Sequence, residues 1–306
     1  MNAKPFLRIF PAAILILSLN AVAQSTDSIS QQDQKSYMPF RLSSDLSKKG
    51  FFNLDAEWFG SVGFNKTRYH ESDINVNQPS QGNNFTVHDI QGHDEYKTPG
   101  FRSPDNFRIG RFIDDQRKWA VELSHDHDKF TSTLGQTASV TGVVSNSTTL
   151  APTNSHLGIG TNQLNTTTFS YMLHNGLNST MINLIYRKPL IGEIADESSL
   201  SFIGKIGIGL AIVHPYNTID GQDATVGEKT FSNVIGFNSG WWRIVGTSTG
   251  VEAGFRYVVK KPIYLEFTNK QMYTEMNNIP VSSGNASQKL WSNQYILSLG
   301  YEFGGK

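Results

Sequence analysis

The last stretch of the chain limits its fold more than any other. Between Lys289 and Phe303, Tyr295, Leu297, Leu299, Tyr301 and Phe303 fall at every second position, and Gln294, Ser298, Gly300 and Glu302 alternate with them. A period of two marks a strand with one apolar and one polar face. The pattern recurs at mid-chain, where Leu200, Phe202, Gly204, Ile206, Ile208, Leu210 and Ile212 oppose Ser201, Ile203, Lys205, Gly207, Gly209 and Ala211. It recurs again where Phe52, Leu54, Ala56, Trp58, Gly60, Val62 and Phe64 oppose Asn53, Asp55, Glu57 and Ser61. No run reaches the roughly 18 to 20 apolar residues of a membrane-crossing helix. If such a chain crosses a bilayer, it needs a closed sheet, because in hydrocarbon every backbone amide requires a partner.

The N-terminus predicts export. Lys4 and Arg8 precede the apolar run Ile9 to Leu19, and Asn20-Ala21-Val22-Ala23 is a small-x-small cleavage site. Residues 1–23 are therefore expected to be a signal peptide, residues 24–50, rich in Ser, Gln, Asp and Lys, a flexible periplasmic leader, and residues 51–306 the folded unit. Lys plus Arg equal Asp plus Glu at 26 each, which leaves no net field to gather nucleic acid. The absence of cysteine removes disulfides, thiolate metal sites and thiol nucleophiles.

An aromatic-terminated strand at the end of an exported, cysteine-free chain resembles the closing strand of Gram-negative outer-membrane β-barrel proteins. Gly300-Tyr301-Glu302-Phe303 is similar to their assembly signal, although Gly304-Gly305-Lys306 follow the aromatic. The resemblance implies an all-β fold, a closed antiparallel transmembrane barrel of the cell outer membrane. It also implies short periplasmic turns, long extracellular loops, recognition by the barrel-assembly machinery, and lipid or lipopolysaccharide as neighbours. The legible runs are 51–64, 106–113, 117–129, 136–144, 166–173, 181–188, 200–212, 229–238, 251–259, 263–268 and 289–303. That is about 11, and such barrels use an even number, so 10 to 12 strands are expected. Residues 65–105, 145–165, 214–228 and 277–288 read as long loops, while Asp114-Asp115-Gln116 and Lys260-Lys261-Pro262 read as tight turns. The Trp241-Trp242 region reads as an interfacial turn, a strand or a short helix. Alternation alone also permits a secreted soluble β-sandwich.

Three groups could carry chemistry. In Glu122 to Lys129, His125 and His127 share one strand face and Glu122 and Asp126 the other. The two histidines could hold a divalent ion or a lipid phosphate, and Glu122 with His125 could form an acid–base pair, although interfacial histidines beside solvated aspartates are the simpler reading. In His174-Asn175-Gly176-Leu177-Asn178-Ser179, Asn-Gly fits a hairpin turn, while a hydrolase would use His174 as base and Ser179 as nucleophile. Outer-membrane lipid A deacylases carry His-x-Ser-Asn; Gly176 stands in the serine position here, and no catalytic residue transfers. The third group is the inward charges Glu57, Arg108, Glu122, Lys205, Glu252, Arg256, Glu266 and Glu302. Their mixed signs predict ion pairs that plug a narrow lumen, poor conduction, and an opening on removal of Arg256. No cofactor is expected, since nucleotide loops, zinc-protease helices and calcium loops are absent. The functional expectation is a narrow channel or a structural, surface-binding barrel, with a lipid-modifying hydrolase as the alternative.

Overall fold

The computed structural model describes residues 57–94, 104–145, 156–194, 196–224, 226, 230, 235–236 and 240–304. In chain order the strands are β1 (Trp58–Tyr69), β2 (Ser72–Gln78), β3 (Asn83–Ile90), β4 (Gly92–His93), β5 (Asn106–Phe112), β6 (Trp119–Ser132), β7 (Thr137–Val143), β8 (Gly160–Gln163) and β9 (Phe169–Ser170). They continue with β10 (Met172–Ile191), β11 (Leu200–Val213), β12 (Thr218–Ile219), β13 (Gln222–Asp223), β14 (Ile235–Gly236), β15 (Trp242–Lys260), β16 (Ile263–Val281) and β17 (Gly284–Phe303).

Eight of them form a closed antiparallel ring, β1-β5-β6-β10-β11-β15-β16-β17, sealed where β17 pairs β1 from Trp58↔Phe303 to Tyr69↔Ser292. Its stagger can be counted from the pairs themselves. From Trp58 the ladder passes to Arg111, Val121, Leu184, Ile206, Val251, Gln271 and Asn293, and returns to β1 at Arg68, ten residues beyond its start. A stagger of ten over eight strands tilts them by roughly 40°, within the range of closed barrels. Ring strands are joined by short connections at the end where β1 begins and β17 stops, here the proximal end, and at the distal end by three long connections and the tight β16–β17 turn.

The faces follow the alternation. Ile206 and Ile208 on β11 are 61% and 63% exposed, whereas Ile203 is fully buried and Lys205 is 5% exposed. Apolar side chains face outward and charges face inward, the reverse of a soluble sandwich, and that reading is set aside. Where Tyr264 of β16 turns into the ring, its β17 partner is Gly300; a Cβ there would come within 2.0 Å of the phenol carbons, so only glycine leaves room for the ring.

The count of eight corrects the expected 10 to 12, for identifiable reasons. The run 166–173 divides between β9, which pairs β12 outside the ring, and the first two residues of β10, and β10 then runs on through 181–188 because Asn175-Gly176 does not turn. Gly176, at φ +140°, carries a register shift between Leu173 and Leu177 opposite β6. The run 136–144 becomes β7, which pairs β3 and β8 outside the ring. Of the run 229–238, only Ile235–Gly236 is a described strand, paired in parallel with β15. Trp242 opens β15, and the Trp241 ring stacks on His214 at 4.0 Å.

All four supposed loops contain strands: β8 lies within 145–165, and β12 and β13 lie within 214–228. Within 65–105, β1 runs on to Tyr69, β2 and β3 form a hairpin over the short 3-10 turn Pro79–Gln81, and β2 continues along β17 from Gln288↔Ile74 to Asn285↔Asn77. Within 277–288, β16 and β17 prolong their ladder to a turn at Ser282-Ser283. The distal sheet β17-β2-β3-β7-β8 folds over an apolar core that includes Ile74, Val87, Phe130, Tyr171, Met276 and Leu290.

A charge placed on the outward face at mid-strand should be costly in a bilayer, and one placed beyond the apolar band should not. Leu297→Arg is expected to destabilise the folded barrel by about 2–4 kcal/mol, as for a guanidinium at the hydrocarbon midplane. Asn285→Arg, exposed on the same strand but distal, should stay within about 0.5 kcal/mol. Urea unfolding in lipid vesicles measures both, and equal losses would contradict a lipid-facing Leu297.

Candidate functional site

The lumen is filled from end to end. At the proximal end Phe59, Phe112, Ala120, Ile185, Val258 and Tyr264 form a small apolar cluster. The guanidinium of Arg256 lies on it, 4.0 Å from the Tyr264 ring centroid and 4.8 Å from that of Phe59. In the middle stands a network of charges, and the distal apolar core closes the other end.

The network is continuous along the barrel. Lys270 Nζ is 2.7 Å from Asp126 Oδ2, and Asp126 Oδ1 is 3.4 Å from Arg108. Arg108 donates to Glu122 at 3.1 Å and to Glu252 at 3.2 Å. Lys205 Nζ reaches Glu122 at 3.2 Å, Glu252 at 3.3 Å and Glu266 at 2.7 Å. Glu266 then accepts from Arg256 Nε at 2.9 Å. Glu302 connects Arg256 (3.7 Å), Arg187 (3.2 Å) and Arg117 (3.5 Å), and Arg117 closes on Glu57 at the proximal rim, its Nε 2.6 Å from Oε2. Six cations (Lys270, Arg108, Lys205, Arg256, Arg187, Arg117) meet six anions (Asp126, Glu122, Glu252, Glu266, Glu302, Glu57) in these contacts. Within these contacts the charges balance with no counter-ion from solvent.

Register explains why these particular residues meet. Glu252 is the direct β15 partner of Lys205 on β11, and Glu266 is the direct β16 partner of Arg256 on β15. Arg108 reaches Glu252 across the lumen, 144 residues away. Every ring strand except β1 contributes a charge. Asp126, Lys270, Arg187 and Arg117 extend the set expected from the sequence, where only Asp126, on the Glu122 face, reads as inward. Asp128, one step distal, accepts from Thr67 Oγ1 (2.5 Å), Asn65 Nδ2 (2.7 Å) and Gln294 Nε2.

The proposed acid–base and metal candidates do not assemble. Glu122 is buried in the network on the lumen side, whereas His125 and His127 lie on the outward face, so the sheet separates them. His125 Nδ1 is 2.9 Å from Thr180 Oγ1, and His127 Nδ1 is 2.6 Å from Asn178 Oδ1. Ser179 points into the lumen and donates to Met272 Sδ at 3.3 Å. The bulge at Gly176 separates it from His174, which follows the inward Leu173 and therefore faces away from the lumen. Among the described residues no three His, Asp or Glu side chains converge to hold a metal ion.

Arg117 and Asp94 are among the groups outside the ring strands whose protonation is shifted by their surroundings. The hydrogen bond to Glu57 holds the Arg117 guanidinium above its usual range. Asp94, just after β4, accepts the backbone N–H of Thr67 at 3.2 Å, and burial pushes its carboxyl up to about 6.

No protein-family model matches the chain, and no curated protein matches it. Among solved structures it is similar to the attachment invasion locus protein Ail of Yersinia pestis, at 13% identity and a TM-score of 0.34, over 82% of this chain and 100% of that one. It is similar also to the outer membrane protein OprG of Pseudomonas aeruginosa (13%, 0.35, 83% and 98%) and to the outer membrane protease OmpT of Escherichia coli (8%, 0.33, 81% and 97%). The fold assignment rests on the ring and its register.

Lys205→Met leaves three buried carboxylates short of a cation and is expected to cost about 3–5 kcal/mol in urea unfolding. Adding Glu252→Gln, which restores neutrality, should recover part of that; strictly additive losses would mean that the charges do not act as one network. Asp94 contributes in the opposite sense to an ordinary ion-paired carboxylate. Its folded-state pKa, about 6, lies above the usual 3.8, so the protonated form favours the fold, and this contribution is lost as pH rises from about 4 through 6. The stability difference between wild type and Asp94→Asn should therefore widen across that window; a constant difference would contradict the buried carboxyl.

Proposed function

We propose that the protein is a non-conducting outer-membrane barrel that presents its distal sheet at the cell surface, a structural or surface-binding barrel rather than a channel. The observation that carries this reading is the filled lumen: an apolar proximal layer, a charge-balanced network of buried side chains, and a distal apolar core. An eight-stranded ring has an interior about wide enough for side chains alone. The apolar outward face and the predicted signal peptide support outer-membrane placement, with the proximal end in the periplasm. The outer face of β2, β3 and β7 is polar and internally bonded. Asn75 Nδ2 donates to Thr86 Oγ1 at 3.0 Å, and His88 lies 3.0 Å from Asp73 and 2.7 Å from Thr141.

The eight-strand ring also revises the expectation that removing Arg256 opens the lumen, because the Arg108–Lys205 cluster and the distal core remain. In planar bilayers neither the wild type nor Arg256→Ala should give steady current steps. An epitope in the Ser282-Ser283 turn should be stained on intact cells. A large, weakly selective conductance from the wild type would overturn the reading in favour of a diffusion channel, and an epitope reached only after lysis would overturn the surface placement.

A further inference from the structure

On four neighbouring strands the outward apolar run stops before the strand does: at Val251 on β15, Phe267 on β16, Tyr295 on β17 and Phe64 on β1. The next outward positions, Thr249, Asn269, Asn293 and Lys66, are all polar. Beyond them Trp291 and Tyr273 meet as direct ladder partners, their ring centroids 5.0 Å apart and their planes inclined by 48°. Trp291 is 55% exposed. From Tyr295 to Trp291 the strand runs on by about 13 Å, which at a tilt of roughly 40° is about 10 Å along the barrel axis. An aromatic ring that anchors a barrel stands at the edge of the apolar band. Tyr295 does so, whereas the Trp291–Tyr273 pair stands clear of that edge behind a row of amides.

The amides are held in place by one another. Gln271 Nε2 donates to Asn269 Oδ1 at 3.0 Å, and Asn269 Nδ2 donates to Asn293 Oδ1 at 2.7 Å and to the Gln294 carbonyl oxygen at 3.2 Å. That chain leaves the Asn293 Nδ2 group and the Gln271 Oε1 atom outside it, one donor and one acceptor. Gln271 is the direct partner of Asn293, one outward step from Tyr273 and Trp291. The four side chains thus rise from the corners of a patch about 5 Å by 7 Å, the strand spacing by the repeat of one face. On its flanks the exposed Thr249 partners Tyr273, and the exposed Arg68 partners Asn293. At its distal edge Lys289 and Glu275 pair with each other at 3.5 Å.

A six-membered sugar ring has about this footprint, with a face of C–H bonds and a rim of hydroxyls. The face suits the electron-rich plane of Trp or Tyr, and the rim suits side-chain amides, which both donate and accept. We propose that this patch binds the sugar head group of an outer-leaflet glycolipid, with the C–H face of one pyranose on Trp291 and Tyr273 and its hydroxyls on Asn293 and Gln271. The inference rests on the outer-membrane placement proposed above and adds a class of lipid to it. Position selects this occupant. Beside the barrel and just beyond its apolar band stand the head groups of the leaflet, and a soluble partner must displace them to reach a side wall. A bare phosphate would leave both rings unused, and an acyl chain would leave the amides unused.

The test uses the full chain in phosphatidylcholine vesicles that contain equal amounts of a diglucosyl diacylglycerol and of the sugar-free diacylglycerol with the same chains. Retained lipid is counted by native mass spectrometry, and heat-dependent gel mobility monitors barrel closure in each variant. The wild type should retain the glycolipid about tenfold better than its sugar-free counterpart. Trp291→Leu should bring that ratio close to one, and Asn293→Ala, which spares the rings and serves if the first variant does not close, should lower it about threefold. Tyr295→Leu, at the edge of the apolar band, should leave the ratio unchanged. Equal retention of the two lipids by a closed wild-type barrel, or an equal fall on Tyr295→Leu, overturns the site and leaves the barrel reading intact. Full displacement of the glycolipid by an equimolar amount of the free disaccharide overturns the lipid as its occupant. Failure of the wild type to float with the vesicles overturns both the site and the outer-membrane reading.

Discussion

The ladder between β1 and β17 is the contact on which the rest depends. Without it the sheet has two open edges, and in a bilayer their unpaired amides and carbonyls would have no partner. With it, all eight strands find both neighbours, and the register it imposes fixes a stagger of ten. Strand number and stagger together set the width of the interior, and therefore how much side chain must fill it. The filled lumen is thus a consequence of closure at this size, and its composition is the part the sequence was free to vary.

That composition is ionic at the centre and apolar at both ends. Buried ion pairs gain little net stability over well-packed apolar residues, but each becomes costly to break once its partner is dry. A carboxylate such as Glu266, held between Lys205 and Arg256, constrains the relative height of β11, β15 and β16. The apolar layers flank the buried middle of the network, while its proximal end, Arg117 with Glu57, stays part-exposed at the rim. On the outside the chemistry is inverted, and the same strands carry Ile206, Val251 and Leu297 to the lipid while Lys205, Glu252 and Ser298 face in.

Much of this was legible in strands with an uninterrupted period of two. The faces of β11 and β17 follow directly from Leu200–Ile212 and Tyr295–Phe303. The strand count was less legible, because local signals have more than one use. Asn175-Gly176 reads as a turn since glycine tolerates positive φ, and the structure spends that freedom on a bulge inside one strand. β2 and β3 carry few apolar residues, Ile74 with Val76 and Phe85 with Val87 and Ile90, among asparagines that suggest a loop. Lys270 escaped notice because the outward face of β16 turns polar at Asn269, and alternation fades while the strand continues. The network's pairings were not legible at all: knowing that Lys205 faces inward does not reveal that Glu252 is opposite, since only closure supplies the register.

The cross-lumen pair Arg108–Glu252 has a bearing on how the barrel is made. Its two strands are not neighbours in the ring, and 144 residues of chain lie between them. No hairpin formed along the way can bring them together; they meet only when the sheet has curled far enough to enclose them. An unclosed sheet would hold these charges apart and wet, and a closed one holds them paired and dry, so there is little advantage in any arrangement between. The lumen thereby makes assembly close to all-or-none, and a stalled intermediate would be distinguished by a stripe of bare charge along its concave face.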